Sequence, residues 1–160
     1  MPLTIVLADD HAGFRGVLKT LLEARGMTVV GEAGDGAEAL QLAANHRPDI
    51  AVLDLSMPVL SGLDAGLKMR SVSPSTRAIL LTMHSEDEYV RQAAAAGIEG
   101  YVLKSRAAYD LMDAIRQVAR GGSYLSPSLS SAAFQPSAPG RQPSRSAPGR
   151  SASLLARLAG

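Results

Sequence analysis

Five short apolar runs, Thr4–Ala8, Thr28–Glu32, Ile50–Asp54, Ala78–Thr82 and Tyr101–Lys104, alternate along the chain with longer stretches of helical periodicity. The runs are rich in β-branched residues, and Ile50-Ala51-Val52-Leu53 has no polar alternation at all. A strand with two apolar faces must be covered on both, which a parallel sheet flanked by helices achieves. In the first helical stretch Phe14, Val17, Leu18, Leu21 and Leu22 fall at i, i+3, i+4, i+7 and i+8, one apolar stripe facing a sheet. Arg25-Gly26 closes it, glycine being the usual left-handed cap. Ala37–Asn45, about Leu63–Arg70, Asp87–Ala96 and Ala107–Arg120 repeat the pattern with alanine-rich faces. The prediction is an α/β fold of five strand-helix units, a doubly wound parallel sheet.

Only 4% of residues are aromatic, so aliphatic side chains must build the core. The chain has no cysteine, which excludes disulfides, thiolate metal sites and cysteine nucleophiles. No basic leader precedes an apolar stretch, and no apolar run reaches the ~20 residues of a membrane span. A cytoplasmic protein without membrane contact is expected. All 15 acids lie within residues 1–113, against ten of the 16 Lys and Arg, so an acidic domain is followed by an arginine-bearing tail. Periodicity stops after Gly121-Gly122, and from Gln135 to Ser153 Pro, Gly, Ser, Ala and Arg dominate, with Ser-Ala-Pro-Gly-Arg occurring twice. Such a composition buries too little apolar surface to order itself. Residues 1–121 are expected to form one domain, and residues 122–160 a linker and disordered tail.

The chemistry gathers at strand ends. Asp9 and Asp10 follow the first run, Asp54 closes the third, Thr82 the fourth and Lys104 the fifth. In open parallel sheets ligands bind at that edge. Three carboxylates on neighbouring strand ends repel one another unless a cation sits among them, and magnesium, hard and oxygen-seeking, fits. Lys104 adds a point cation for a phosphoryl oxygen and Thr82 a hydroxyl. A carboxylate can itself be the nucleophile and form an acyl phosphate.

These blocks, Leu7-Ala8-Asp9-Asp10-His11, Asp54-Leu55-Ser56-Met57-Pro58 with Gly62, Leu81-Thr82 and Tyr101-Val102-Leu103-Lys104, resemble the receiver domains of bacterial two-component response regulators over residues 3–121. The resemblance implies a flavodoxin-like sheet of strand order 2-1-3-4-5 and phosphorylation of Asp54 by a sensor histidine kinase. It also implies a magnesium or manganese ion held by Asp9, Asp10, Asp54 and the Ser56 carbonyl, with Thr82 and Lys104 contacting phosphate. Tyr101 would be the aromatic switch, rotating inward as Thr82 moves, and would alter the face of the fourth helix, fifth strand and fifth helix. Homodimerisation through that face follows. The domain is expected to be a phosphoacceptor, with at most slow self-phosphorylation and self-dephosphorylation, and not an enzyme.

Asp9-Asp10-His11 and Ala119-Arg120-Gly121-Gly122-Ser123-Tyr124-Leu125-Ser126-Pro127 look like the NarL/FixJ group of transcriptional regulators. Two departures stand out. Ser105 follows Lys104 where many receivers have proline, and the group's helix-turn-helix is not recognisable after Pro127. Specific DNA binding is therefore not expected of this chain. The alternatives are a truncated or frameshifted DNA-binding regulator and a stand-alone receiver acting as a phosphate sink. Gly31, Gly34 and Gly36 lack dinucleotide-site spacing. His11 and His84 are expected to be loop residues near the site.

Overall fold

The computed structural model describes residues 2–83 and 87–127. The expected disordered tail and His84 lie outside these residues. The chain runs β1 (Thr4–Ala8), α1 (Ala12–Ala24), β2 (Thr28–Ala33), α2 (Gly36–His46), β3 (Ile50–Asp54), α3 (Gly62–Val72), β4 (Arg77–Thr82), α4 (Asp87–Ala95), β5 (Gly100–Leu103), a 3-10 turn (Lys104–Arg106), α5 (Ala107–Ala119) and β6 (Tyr124–Leu125). Every strand pairing is parallel, in the order β2-β1-β3-β4-β5-β6. The expected order is present, extended by a sixth strand.

Alternate residues of each central strand enter different cores. Ile5, Leu7, Ile50, Val52, Ile79, Leu81 and Val102 pack with Leu18 and Leu22 of α1 and Leu111, Ile115 and Val118 of α5. Ala51, Leu53, Ala78, Leu80 and Tyr101 pack on the other side with Ala39 and Ala43 of α2, Ala65 and Met69 of α3, and Val90 and Ala93 of α4. Both strand faces are therefore covered, which is why the strands read as unbroken apolar runs. Among the described residues no helix is long and apolar enough to cross a membrane.

Two elements differ from the sequence reading. Lys104 is not the last residue of β5 but the first of the 3-10 turn that leads into α5. The linker also does not leave the sheet after Gly122. Tyr124 N–H donates to the Glu99 carbonyl at 2.9 Å, Ser126 N–H to the Tyr101 carbonyl at 3.0 Å, and Leu103 N–H to Ser126 Oγ at 3.1 Å. The buried Ser126 hydroxyl donates in turn to Asp110 Oδ2 at 3.1 Å, a carboxylate that Arg106 also holds. This short strand satisfies the edge groups of β5 that would otherwise be left open.

The β3–α3 connection is shaped by two backbone constraints. A Cβ on Gly62 would lie 2.1 Å from the Asp54 carbonyl oxygen, so only glycine lets α3 begin against the end of β3. Val59, by contrast, is β-branched, exposed and held at φ 67°, where L-residues are strained. Gly62→Ala is expected to destabilise the fold by about 1–3 kcal/mol through overpacking against backbone. Val59→Asn, which tolerates the left-handed region, should stabilise it by up to about 1 kcal/mol. Urea denaturation of both variants at constant m-value checks the pair.

Candidate functional site

The site forms because β1 and β3 are neighbours. Ala8 pairs with Leu53, so the next residues, Asp9 and Asp54, project side by side from the same sheet edge. Both are almost fully buried, whereas Asp10, one residue on, is exposed. One carboxylate oxygen from each of Asp9, Asp10 and Asp54 comes within 4.8 Å of the others. Lys104 reaches over from the far end of β5. Its ammonium stands 2.9 Å from Asp9 Oδ2 and 3.2 Å from Asp54 Oδ2, and 4.8 Å from the centre of the Phe14 ring.

Local backbone donors orient the two buried acids. His11 N–H donates to Asp9 Oδ1 at 2.8 Å and Ser56 N–H to Asp54 Oδ1 at 3.3 Å. Asp9 Oδ2 is buried and meets the Lys104 ammonium at 2.9 Å, an ammonium that it shares with Asp54. Burial pushes the Asp54 carboxyl above its ordinary value and the charge of Asp9 adds to the rise. Lys104 and the Ser56 N–H pull it back without cancelling the effect. For Lys104 burial acts downward, but the contacts with Asp9 and Asp54 outweigh it and raise the ammonium above its ordinary value. The amine therefore stays charged.

Three carboxyl groups gather around one ammonium, an excess of acidic groups that a divalent cation would offset. The oxygen-only donor set, one acid exposed and two buried, suits a hard ion that keeps part of its water shell. The buried Asp9 oxygen, which shares its ammonium with Asp54, points the same way. The residues present therefore fit such an ion.

The structure brings together Asp9, Asp10, Asp54 and Lys104. Thr82 is buried at the end of β4, between β3, which ends at Asp54, and β5, which leads into Lys104, and Ser56 follows Asp54 in the exposed loop. Tyr101 is fully buried on the side of α4, so its ring already occupies the inward position that the sequence reading reserves for the switched state. His11 is a loop residue with a defined task. Its Nδ1 accepts from Phe14 N–H at 2.9 Å and caps α1, leaving the two aspartates free of that role. Sequence reasoning missed Arg15, whose guanidinium donates to the Asp9 carbonyl at 2.5 Å. Its partners lie just after β1 and on β2, and no spacing within α1 signals them.

A family model described as the response regulator receiver domain matches residues 5–116. The oxygen regulatory protein NreC of Staphylococcus carnosus (strain TM300) is 40% identical over 129 residues, which is 79% of this chain and 59% of that protein. The nitrate/nitrite response regulator protein NarL of Escherichia coli (strain K12) is 40% identical over 129 residues, 80% of this chain and 60% of its own. The crystal structure of a two-component response regulator of the LuxR family from Aurantimonas sp. SI85-9A1 superposes with a TM-score of 0.75 at 36% identity, covering 79% of this chain and 91% of that one. The chain spans about three fifths of the length of these curated relatives.

The raised Asp54 carboxyl carries a pH signature. Its folded-state value lies above the ordinary 3.8, so ionisation costs the metal-free fold stability as pH rises through that value, and the cost is absent in more acid solution. Asp54→Asn should therefore melt at a higher temperature than the parent at neutral pH without divalent ions. The difference should vanish well below the ordinary value of 3.8, where the parent side chain is neutral in both states. Thermal melts across that range decide it.

Proposed function

The chain belongs to the response regulator receiver domain family, and from that premise we propose that Asp54 accepts a phosphoryl group from the phosphohistidine of a partner sensor kinase. The observation that carries this reading is the contact of a buried Asp54 carboxylate with the Lys104 ammonium at 3.2 Å, beside the paired acids of β1. In the proposed step a lone pair on Asp54 attacks phosphorus and the bond from phosphorus to the imidazole nitrogen breaks. The imidazole departs with the electron pair, and the product is an acyl phosphate on Asp54.

Asp9, Asp10 and Asp54, with the Ser56 carbonyl, would hold magnesium or manganese, which supplies positive charge against the phosphoryl oxygens. Lys104 is poised to exchange a carboxylate partner for one of those oxygens. Thr82 supplies a hydroxyl at the same edge. Positioning and charge neutralisation, rather than acid-base chemistry, are the protein's contribution. Catalysis of any other reaction is not part of this reading.

Docking of the kinase is supported by the rim of the site. Val59 on the β3–α3 loop is 81% exposed and Met83 after β4 is 82% exposed, two large apolar side chains beside an acidic cleft with no packing role. Sequence-specific DNA reading is not assigned to the receiver itself, since its excess of acids repels phosphates.

With magnesium and acetyl phosphate the protein should gain one phosphoryl group by intact mass, and Asp54→Asn should gain none. An equal adduct in the Asn variant would remove Asp54 from the role. Lys104→Ala should slow adduct formation steeply while the fold, followed by circular dichroism, persists.

A further inference from the structure

Arg15 lies in the first turn of α1, yet its side chain is spent on β1 and β2. One guanidinium nitrogen donates to the Asp9 carbonyl at 2.5 Å and to the Ala33 carbonyl at 3.2 Å. Nε donates to Glu32 Oε1 at 3.2 Å, and Lys19 approaches the other oxygen of Glu32 at 3.4 Å. Asp9 N–H also donates to the Ala33 carbonyl at 3.0 Å. The backbone of Asp9 is thus clipped to the end of β2 through both its amide and its carbonyl. The peptide bond whose carbonyl Arg15 holds is the one that leads into Asp10.

We propose that Arg15 is a positioning residue for the divalent-cation site, fixing the Asp9-Asp10 backbone so that both carboxylates converge with Asp54, with Glu32 orienting the guanidinium and offsetting its charge. This rests on the reading of the acidic cluster as a cation site. A guanidinium suits the task because its planar array of donors can engage two carbonyls and a carboxylate at once, which a single ammonium cannot match in geometry. The residue touches neither the ion nor the phosphoryl group.

Charge and geometry predict opposite signs here. A fixed cation close to the cluster repels an incoming divalent ion, so if Arg15 were only a neighbouring charge its removal would tighten magnesium binding. If it holds the ligands in place, its removal loosens them and binding weakens, as it does when groups behind metal ligands are lost, by about tenfold or more.

Magnesium titration of the full chain, followed by amide chemical shifts at Asp10, Asp54 and Lys104, reads the sign. Arg15→Ala is expected to weaken binding about tenfold, and Arg15→Lys, which keeps the charge but loses the planar donor array, should weaken it as well. Lys19→Ala, which shares Glu32 but not the Asp9 carbonyl, should not weaken it. In the metal-free protein the Asp9 and His11 amides should exchange faster in Arg15→Ala, while those of Leu111, Ala114 and Ile115 in α5 stay protected and report an intact fold. Unchanged or tighter magnesium binding in Arg15→Ala, or full recovery in Arg15→Lys, would overturn the proposal. Should the parent show no magnesium response at these amides, the cation-site reading fails separately, and unchanged Asp9 and His11 exchange in Arg15→Ala then overturns the positioning role by itself.

Discussion

Two buried carboxylates sharing one ammonium set the terms for the rest of the molecule. Removing such charges from water is costly, and a buried pair is sound only when its geometry is good and its remaining lone pairs are occupied. The sheet order meets the first condition. Because β1 lies beside β3, Asp9 and Asp54 leave the sheet as neighbours, and because β4 separates β3 from β5, the cation must come from a side chain long enough to cross it. Lysine has that reach. Thr82, on the strand being crossed, is short enough to leave the path open. The second condition is only partly met, since Asp9 Oδ2 and Asp54 Oδ2 must share the one ammonium. Such sharing beside a solvent-facing third acid is the kind of charge arrangement that gathers at functional sites.

Much of this arrangement was legible in the chain. Apolar runs without alternation announced strands covered on both faces, and the acids and lysine at their ends announced the edge where chemistry gathers. What escaped notice did so for physical reasons. A two-residue strand is too short to carry any periodicity, so β6 was invisible until Ser126 was found buried against Asp110 and Leu103. The cap of α1 was hidden because histidine is not among the side chains that usually cap a helix start. Arg15 was hidden because a long polar side chain can ignore the face its Cα belongs to. Periodicity reports where backbones go, and says little about where the tips of long side chains end.

The sixth strand also changes how the face made by α4, β5 and α5 can be used. Tyr124–Leu125 pairs along β5, and Ser126 closes the pairing with hydrogen bonds to Tyr101 and Leu103. The edge of β5 is thus already occupied by the chain's own linker. The homodimer expected there would have to form on the exposed flanks of the helices with β6 in place, or with β6 displaced at the cost of those bonds. The bonded residues sit beside Lys104, so the exit of the chain from the receiver is tied to the strand that leads directly into the site's half-buried lysine.

The two cores differ in how firmly they hold their helices, and this bears on where a change at the site would be felt. On one side α5 is anchored by Leu111, Ile115 and Val118, bulky side chains interleaved with Ile79, Leu81 and Val102. On the other, α4 meets the sheet through Val90, Ala93 and Ala94, small groups that bury little apolar area. Tyr101 is the largest fully buried side chain in that layer and fills space such small side chains leave. A helix held by few methyl groups opens at lower free energy than one held by branched side chains. Movement of Thr82 toward a phosphoryl group, or of the Tyr101 ring, would therefore be expressed at α4 first. The bulky packing of α5 would keep Lys104 and its turn in register while that happens, so the lysine proposed to meet the phosphoryl oxygens lies on the firmly packed side and α4 on the loosely packed one.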